Sequence, residues 1–157
     1  ALVGLVLLSV QIFLGGWTST NYAALACTDL PTCQGAWWPD ANFADAFHVF
    51  RELGKTGDGE FLPMQALTAI HLMHRIGAVV VLVVLGWPGH RVMRTEGLRG
   101  LGAAILVVLA LQWLLGLSNV YWSLPLPVAV AHNGGAALLL GLVVVLNFRA
   151  HRARWQI

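Results

Sequence analysis

Four stretches of this chain, residues 1–17, 65–87, 98–120 and 127–148, are almost wholly apolar over lengths close to those of membrane crossings. A helix rises 1.5 Å per residue, so about 20 apolar residues span a hydrocarbon core about 30 Å thick. In lipid every backbone N–H and C=O must find its partner within the spanning structure, which leaves only helices and closed barrels. Runs such as Val79–Leu85 do not alternate as barrel strands would. The sequence therefore reads as an all-α membrane protein, a four-helix transmembrane bundle with a long outward-facing loop. Composition agrees, since 58% of the residues are hydrophobic and 10% charged, against about 25% charged in soluble domains. A soluble globular domain, a disordered tail and a nucleic-acid-binding module are excluded.

The direction of the bundle follows from its arginines. Arg91, Arg94 and Arg99 flank the second turn against one Glu96, and Arg149, Arg152 and Arg154 follow the last span. The segment 18–63 holds Arg51 and Lys55 against Asp29, Asp40, Asp45, Glu52, Asp58 and Glu60. The positive-inside rule then puts 88–97 and the C-terminus in the cytoplasm, with 18–63 and the turn 123–127 outside. Ala1 opens on apolar sequence with no basic flank and no small-residue cleavage site, unlike a signal peptide. The chain is expected to begin mid-protein and to be one four-helix half of something larger. In the long loop, Phe43, Phe47 and Phe50 have the spacing of one apolar face of a short helix on the membrane surface.

Ionisable groups inside a bilayer are costly and mark function by default. Here they are His71, His74 and Arg75 in the second span and His132 in the fourth. Counted from Gln65 and from Pro127, His74 and His132 differ in depth by about 6 Å, on helices that can be neighbours in a bundle. Two neutral imidazoles facing each other across a bundle core are what bis-histidine haem ligation requires. The residues after His132, Asn133 to Ala137, have almost no bulk, and Gly77 lies one turn from His74. Such bareness admits a flat macrocycle, although small residues also let membrane helices pack closely. Arg75 is placed to pair with a haem propionate or a phosphate, or to snorkel to the interface. His71 and His74 share a helix face. No Asp, Glu or Cys lies in any span to complete a zinc or copper site, and His71 taken singly reads as a hydrogen-bonded core residue.

Cys27 and Cys33 fall in the outward loop, too far apart for a redox CxxC. Outside the cytoplasm they are expected to form a structural disulfide around Pro31. His48, His90 and His151 read as surface residues. One internal echo is visible: Gln11-Ile-Phe-Leu-Gly15 in the first span resembles Gln112-Trp-Leu-Leu-Gly116 in the third. The bundle thus looks like two units, each pairing a polar helix with a histidine helix.

GGWTSTNYAALAC, the C-x5-C loop, HLMHRIG and PLPVAVAHNGG together resemble the carboxy-terminal half of the haem A synthase family. The resemblance implies an eight-helix protein of two similar halves that oxidises the ring D methyl of haem O to a formyl group, serving cytochrome oxidase assembly. It implies haem b as cofactor, with His74 and His132 as axial ligands and Cys27 paired with Cys33. The implied partners are haem O in the other half, a haem O synthase, an electron donor and the lipid bilayer, and the implied location is a bacterial plasma membrane. The family's other half carries Glu-x-x-His-Arg; here the frame reads His71-x-x-His74-Arg75, so the catalytic residues are expected outside this chain. The competing readings are a stand-alone b-type haem electron-transfer bundle and a structural or metal-handling membrane protein.

Overall fold

The computed structural model describes residues 1–154, with side chains as far as 152, so the Arg154 side chain of the basic tail lies outside the described residues. Five helices follow in order: α1 Leu2–Thr20, α2 Phe43–Ala46, α3 Met64–Met93, α4 Arg99–Tyr121 and α5 Leu126–Arg154. The four long ones are apolar and long enough to cross a bilayer, as the sequence predicts. The protein is an integral, multi-pass membrane protein. Among the described residues there is no strand, only two isolated bridges in the long loop.

The four spans form a ring. Helix α1 packs on α3 and α5, α4 packs on the same two, and among the described residues the backbones of α3 and α5, and of α1 and α4, do not approach each other closely. Large aliphatic side chains fill this ring only in the half away from the long loop, where Leu8, Val81, Leu109, Leu139 and Val143 are buried together. Lipid tails are as apolar as leucine, so this core holds the helices by close packing rather than by removal from water. Gly102 shows how close: a Cβ there would collide with the backbone of Met93, which lets α4 turn back against the end of α3.

The spans differ from the sequence reading mainly at their ends. Helix α3 continues through Pro88 to Met93, beyond the expected stop at Trp87. Proline removes one backbone donor and crowds the preceding turn. Here it sits in the basic end of the helix, with Trp87 and Arg91 stacked beside it.

At the opposite end the long loop has its own small core, in which Ala23, Ala46 and Leu62 pack on Ala66, Ala69 and Ile70 of α3. Asn21, fully buried, ends α1 and ties the loop: its Oδ1 accepts from Arg51 Nη1 at 2.9 Å and from the Gly54 N–H at 3.1 Å. The indole of Trp17 donates to the Ala46 carbonyl at 2.9 Å. Helix α2 is a single turn capped by Asn42, which accepts from the Asp45 N–H. The expected aromatic helix face is therefore shorter than its spacing suggests. Phe43 lies in the turn, Phe47 ends it, and Phe50 is 92% exposed outside it. The chain leaves the helical path because the Arg51 guanidinium is drawn onto Asn21 and the Ala46 carbonyl.

Candidate functional site

One turn beyond the aliphatic core, toward the loop, all four spans change character together. On α1 the order is Leu8-x-x-Gln11-x-x-x-Gly15, and on α4 it is Leu109-x-x-Gln112-x-x-x-Gly116. On α3, running the other way, it is His74-x-x-Gly77-x-x-x-Val81, and on α5 His132-x-x-Gly135-x-x-x-Leu139. The contacts repeat as well. A Cβ on Gly15 would lie 3.1 Å from His74 Cε1, and one on Gly116 would lie 3.5 Å from His132 Cε1. A Cβ on Gly77 would collide with the Gln11 side chain, and one on Gly135 with that of Gln112. The α1/α3 pair and the α4/α5 pair are two copies of one unit, and the short sequence echo at the glutamines is its trace.

This arrangement brings His74 and His132 to the same level on the diagonal helices α3 and α5, rather than on adjacent ones. The two rings lie within electrostatic reach of each other. Because the backbones of α3 and α5 do not approach each other closely, the space between the rings is bounded by side chains, not by a helix seam. Each ring has a glycine beside it: a Cβ on Gly15 would press on His74, while one on Gly116 would come into ordinary contact with His132. Of the bare stretch after His132, Gly135 is the position packed on Gln112, while a Cβ on Gly134 would meet open space.

Unpaired polar atoms cluster at this level. Gln11 Oε1, Gln112 Nε2 and His132 Nδ1 are buried without a hydrogen-bond partner, a situation that native interiors rarely tolerate without a reason. His74 is held: Gln11 Nε2 lies 3.0 Å from its Nδ1 and donates to its backbone carbonyl at 2.9 Å. Two imidazoles on diagonal helices, flanked by glycines, fit a flat macrocycle ligated on both faces. Among the described residues no three His, Cys, Asp or Glu side chains gather into a metal-holding group.

The other two ionisable residues of α3 turn to the loop. The Cys27 N–H donates to His71 Nδ1 at 3.4 Å, and His71 is 4% exposed. Arg75 donates to three backbone carbonyls, those of Cys27 at 2.6 Å, Asp29 at 2.9 Å and Thr32 at 2.9 Å, while its Nε is buried without a partner. Cys27 and Cys33 are both buried with Cα atoms 4.7 Å apart, inside the range a disulfide spans. Gln34 adds a further tie, donating to Thr68 Oγ1 at 2.8 Å. The loop itself is turned by Asp29, which accepts from the Thr32 hydroxyl and from the N–H groups of Gln34 and Gly35. The Thr32 hydroxyl first, and then these N–H groups, hold the Asp29 carboxyl down at about 2. Gly35 takes φ +77° there, a conformation that glycine adopts without strain.

Residues 1–144 match the family model described as COX15-CtaA, cytochrome oxidase assembly protein. The chain belongs to this family. It is 46% identical over 148 residues, 94% of its length, to a protein of Shewanella oneidensis named heme A synthase, of which it covers 45%. A protein of the same name from Paracoccus denitrificans is 34% identical over 153 residues, 93% of this chain and 35% of that protein. One from Parvibaculum lavamentivorans is 27% identical over 142 residues, 89% and 37% respectively. The chain thus spans less than half the length of these relatives. No solved structure was found to match it.

The sequence singled out His74 and His132 as candidate haem ligands on helices that can be neighbours; the structure places them on α3 and α5, which lie across the ring from each other. The sequence missed Gln11 as the partner of His74, although the four-residue spacing to a glycine that Gln11 shares with Gln112 was the available signal. It also missed that His71 and Arg75 hold loop backbone.

Proposed function

We propose that this chain is the haem b-binding half of a haem A synthase, with His74 and His132 as axial ligands. The observation that carries the reading is the placing of these two imidazoles at one level on diagonal helices, each beside a glycine. Family membership supports it, since three relatives share the printed name heme A synthase. A haem held by two histidines supplies reversible one-electron transfer with no open coordination position.

The protein's own residues give that haem its setting. The two histidines fix its plane, Gly15 and Gly116 leave the rings room, and the aliphatic core beneath excludes water. Arg75 keeps one donor, Nε, for a propionate while its Nη atoms hold the loop. Cys27 and Cys33 close that loop as a disulfide on the outer side of the membrane, and 88–97 and the C-terminus lie in the cytoplasm. In the whole protein a second four-helix half would take haem O and oxidise its ring D methyl to the formyl of haem A. A haem O synthase and an electron donor are the partners that such a reaction needs.

The test is the optical spectrum of the protein purified in detergent, oxidised and reduced, with extraction to identify the macrocycle. One six-coordinate low-spin haem b per chain is expected. Colourless protein that takes up no added haemin would overturn the reading.

A further inference from the structure

The two glutamines lie in equivalent places, yet their amides face opposite ways. Gln11 presents Oε1 to Gly77 and Nε2 to His74 Nδ1. Gln112 presents Nε2 to Gly135, with Oε1 4.0 Å from the same point. The oxygen of Gln112 is thus the amide atom farther from Gly135, the place that the nitrogen takes in Gln11. His132 Nδ1 is buried without a partner, and so is Gln112 Nε2.

A histidine that binds a metal through Nε2 carries its proton on Nδ1, and that N–H is normally given to an acceptor that orients the ring and raises its basicity. A side-chain amide can serve, because rotation about its last torsion exchanges acceptor for donor. We propose, resting on the haem-ligand reading above, that Gln11 and Gln112 are the positioning residues of the two axial histidines, each accepting from Nδ1–H through its amide oxygen. Gln112 makes no hydrogen bond to His132 in the structure and would have to close on its ring to accept there. Gln11 holds His74 in the opposite sense, its nitrogen on both Nδ1 and the His74 carbonyl, so to accept from a haem-bound His74 its amide would turn over and give up the bond to that carbonyl.

Leucine at either position removes the acceptor with little change in volume. A weaker acceptor on Nδ1–H makes the imidazole a poorer donor to iron, which disfavours the ferric state. The experiment compares Gln11→Leu and Gln112→Leu with wild type in the purified haem-loaded protein, measuring haem content, the midpoint potential and the low-spin electron paramagnetic resonance spectrum. Ser9→Ala, an exposed change on α1 that breaks only a bond to the Leu5 carbonyl, is the control. Both leucine variants are expected to keep low-spin haem with a raised midpoint potential and shifted resonance positions, while Ser9→Ala matches wild type. Full haem loading with unchanged potential and resonance positions would overturn the proposal. If a leucine variant loses haem, the matching glutamate variant, of equal length and still an acceptor, must restore it; loss in both, with aggregated protein, assigns the glutamine to folding and also overturns the proposal. Failure of the underlying reading shows separately, as wild-type protein without low-spin haem.

Discussion

The α1/α3 pair and the α4/α5 pair carry the same glutamine, glycine and histidine in the same register, but only one of them holds a loop. On α3 the histidine is flanked by His71 and Arg75, which together engage the loop backbone at Cys27, Asp29 and Thr32. The corresponding positions on α5 are Ala129 and the exposed Asn133. The cause is the length of the connection. Residues 21–63 must be fastened over α3, whereas α4 reaches α5 through the short turn 122–125 and leaves nothing to fasten. A half-buried guanidinium at the end of a span is costly, and three carbonyls offset that cost on one side only. The common part of the two units is therefore what the site needs, and the differing part is what the connection needs.

That division can be broken experimentally. His74→Ala and His132→Ala are expected to have the largest effect, each losing most bound haem in pigment assays of purified protein. His71→Ala should keep its haem, because its ring serves the loop; full haem loss would move His71 into the shared part. Arg75→Ala removes three charge-assisted bonds, each contributing at most about 1.5–3 kcal/mol net when fully buried and less here, where the side chain is half-exposed. A net loss of about 3 kcal/mol in unfolding of the loop region is expected, read by amide exchange of residues 26–35, with helices α4 and α5 unaffected. Uniform destabilisation of all four spans would contradict the assignment of Arg75 to the loop.

The smallest effect concerns pH. The Asp29 carboxyl is held at about 2 against an ordinary 3.8, so its contribution to the loop is complete above 3.8 and fades as pH falls from there through 2. Tryptophan fluorescence of Trp37 and Trp38, both exposed beside this turn, should change over that window in wild type and lose the change in Asp29→Asn. A variant that keeps the wild-type profile would remove Asp29 from the loop's support.

Much of this architecture was legible in the residues. The four spans could be read because apolar length is set by bilayer thickness, and His74 and His132 because imidazoles are rare in hydrocarbon. Five things were not legible. Whether α3 and α5 are neighbours depends on how the ring closes, which no span-by-span reading contains. The apolar stretch ends at Trp87, whereas the helix runs on through Pro88 to Met93, because a helix can continue beyond the hydrocarbon where its sequence turns polar. Arg75 was read as a group for a propionate or an interface because the carbonyls that take its Nη atoms lie more than 40 residues earlier in the chain. Phe50 was placed on a helix by its spacing, but the bond of Arg51 to Asn21 decides the path there. The glutamine echo was visible without its meaning, since the Gln11–His74 contact joins residues 63 apart.

The most direct test of the account is the spectrum of His132→Gly with and without free imidazole. If His132 is an axial ligand, the low-spin signal disappears in the variant and returns when imidazole enters the space that the missing ring leaves. A low-spin signal that persists unchanged in His132→Gly would contradict the pairing of His74 with His132 on which the rest depends.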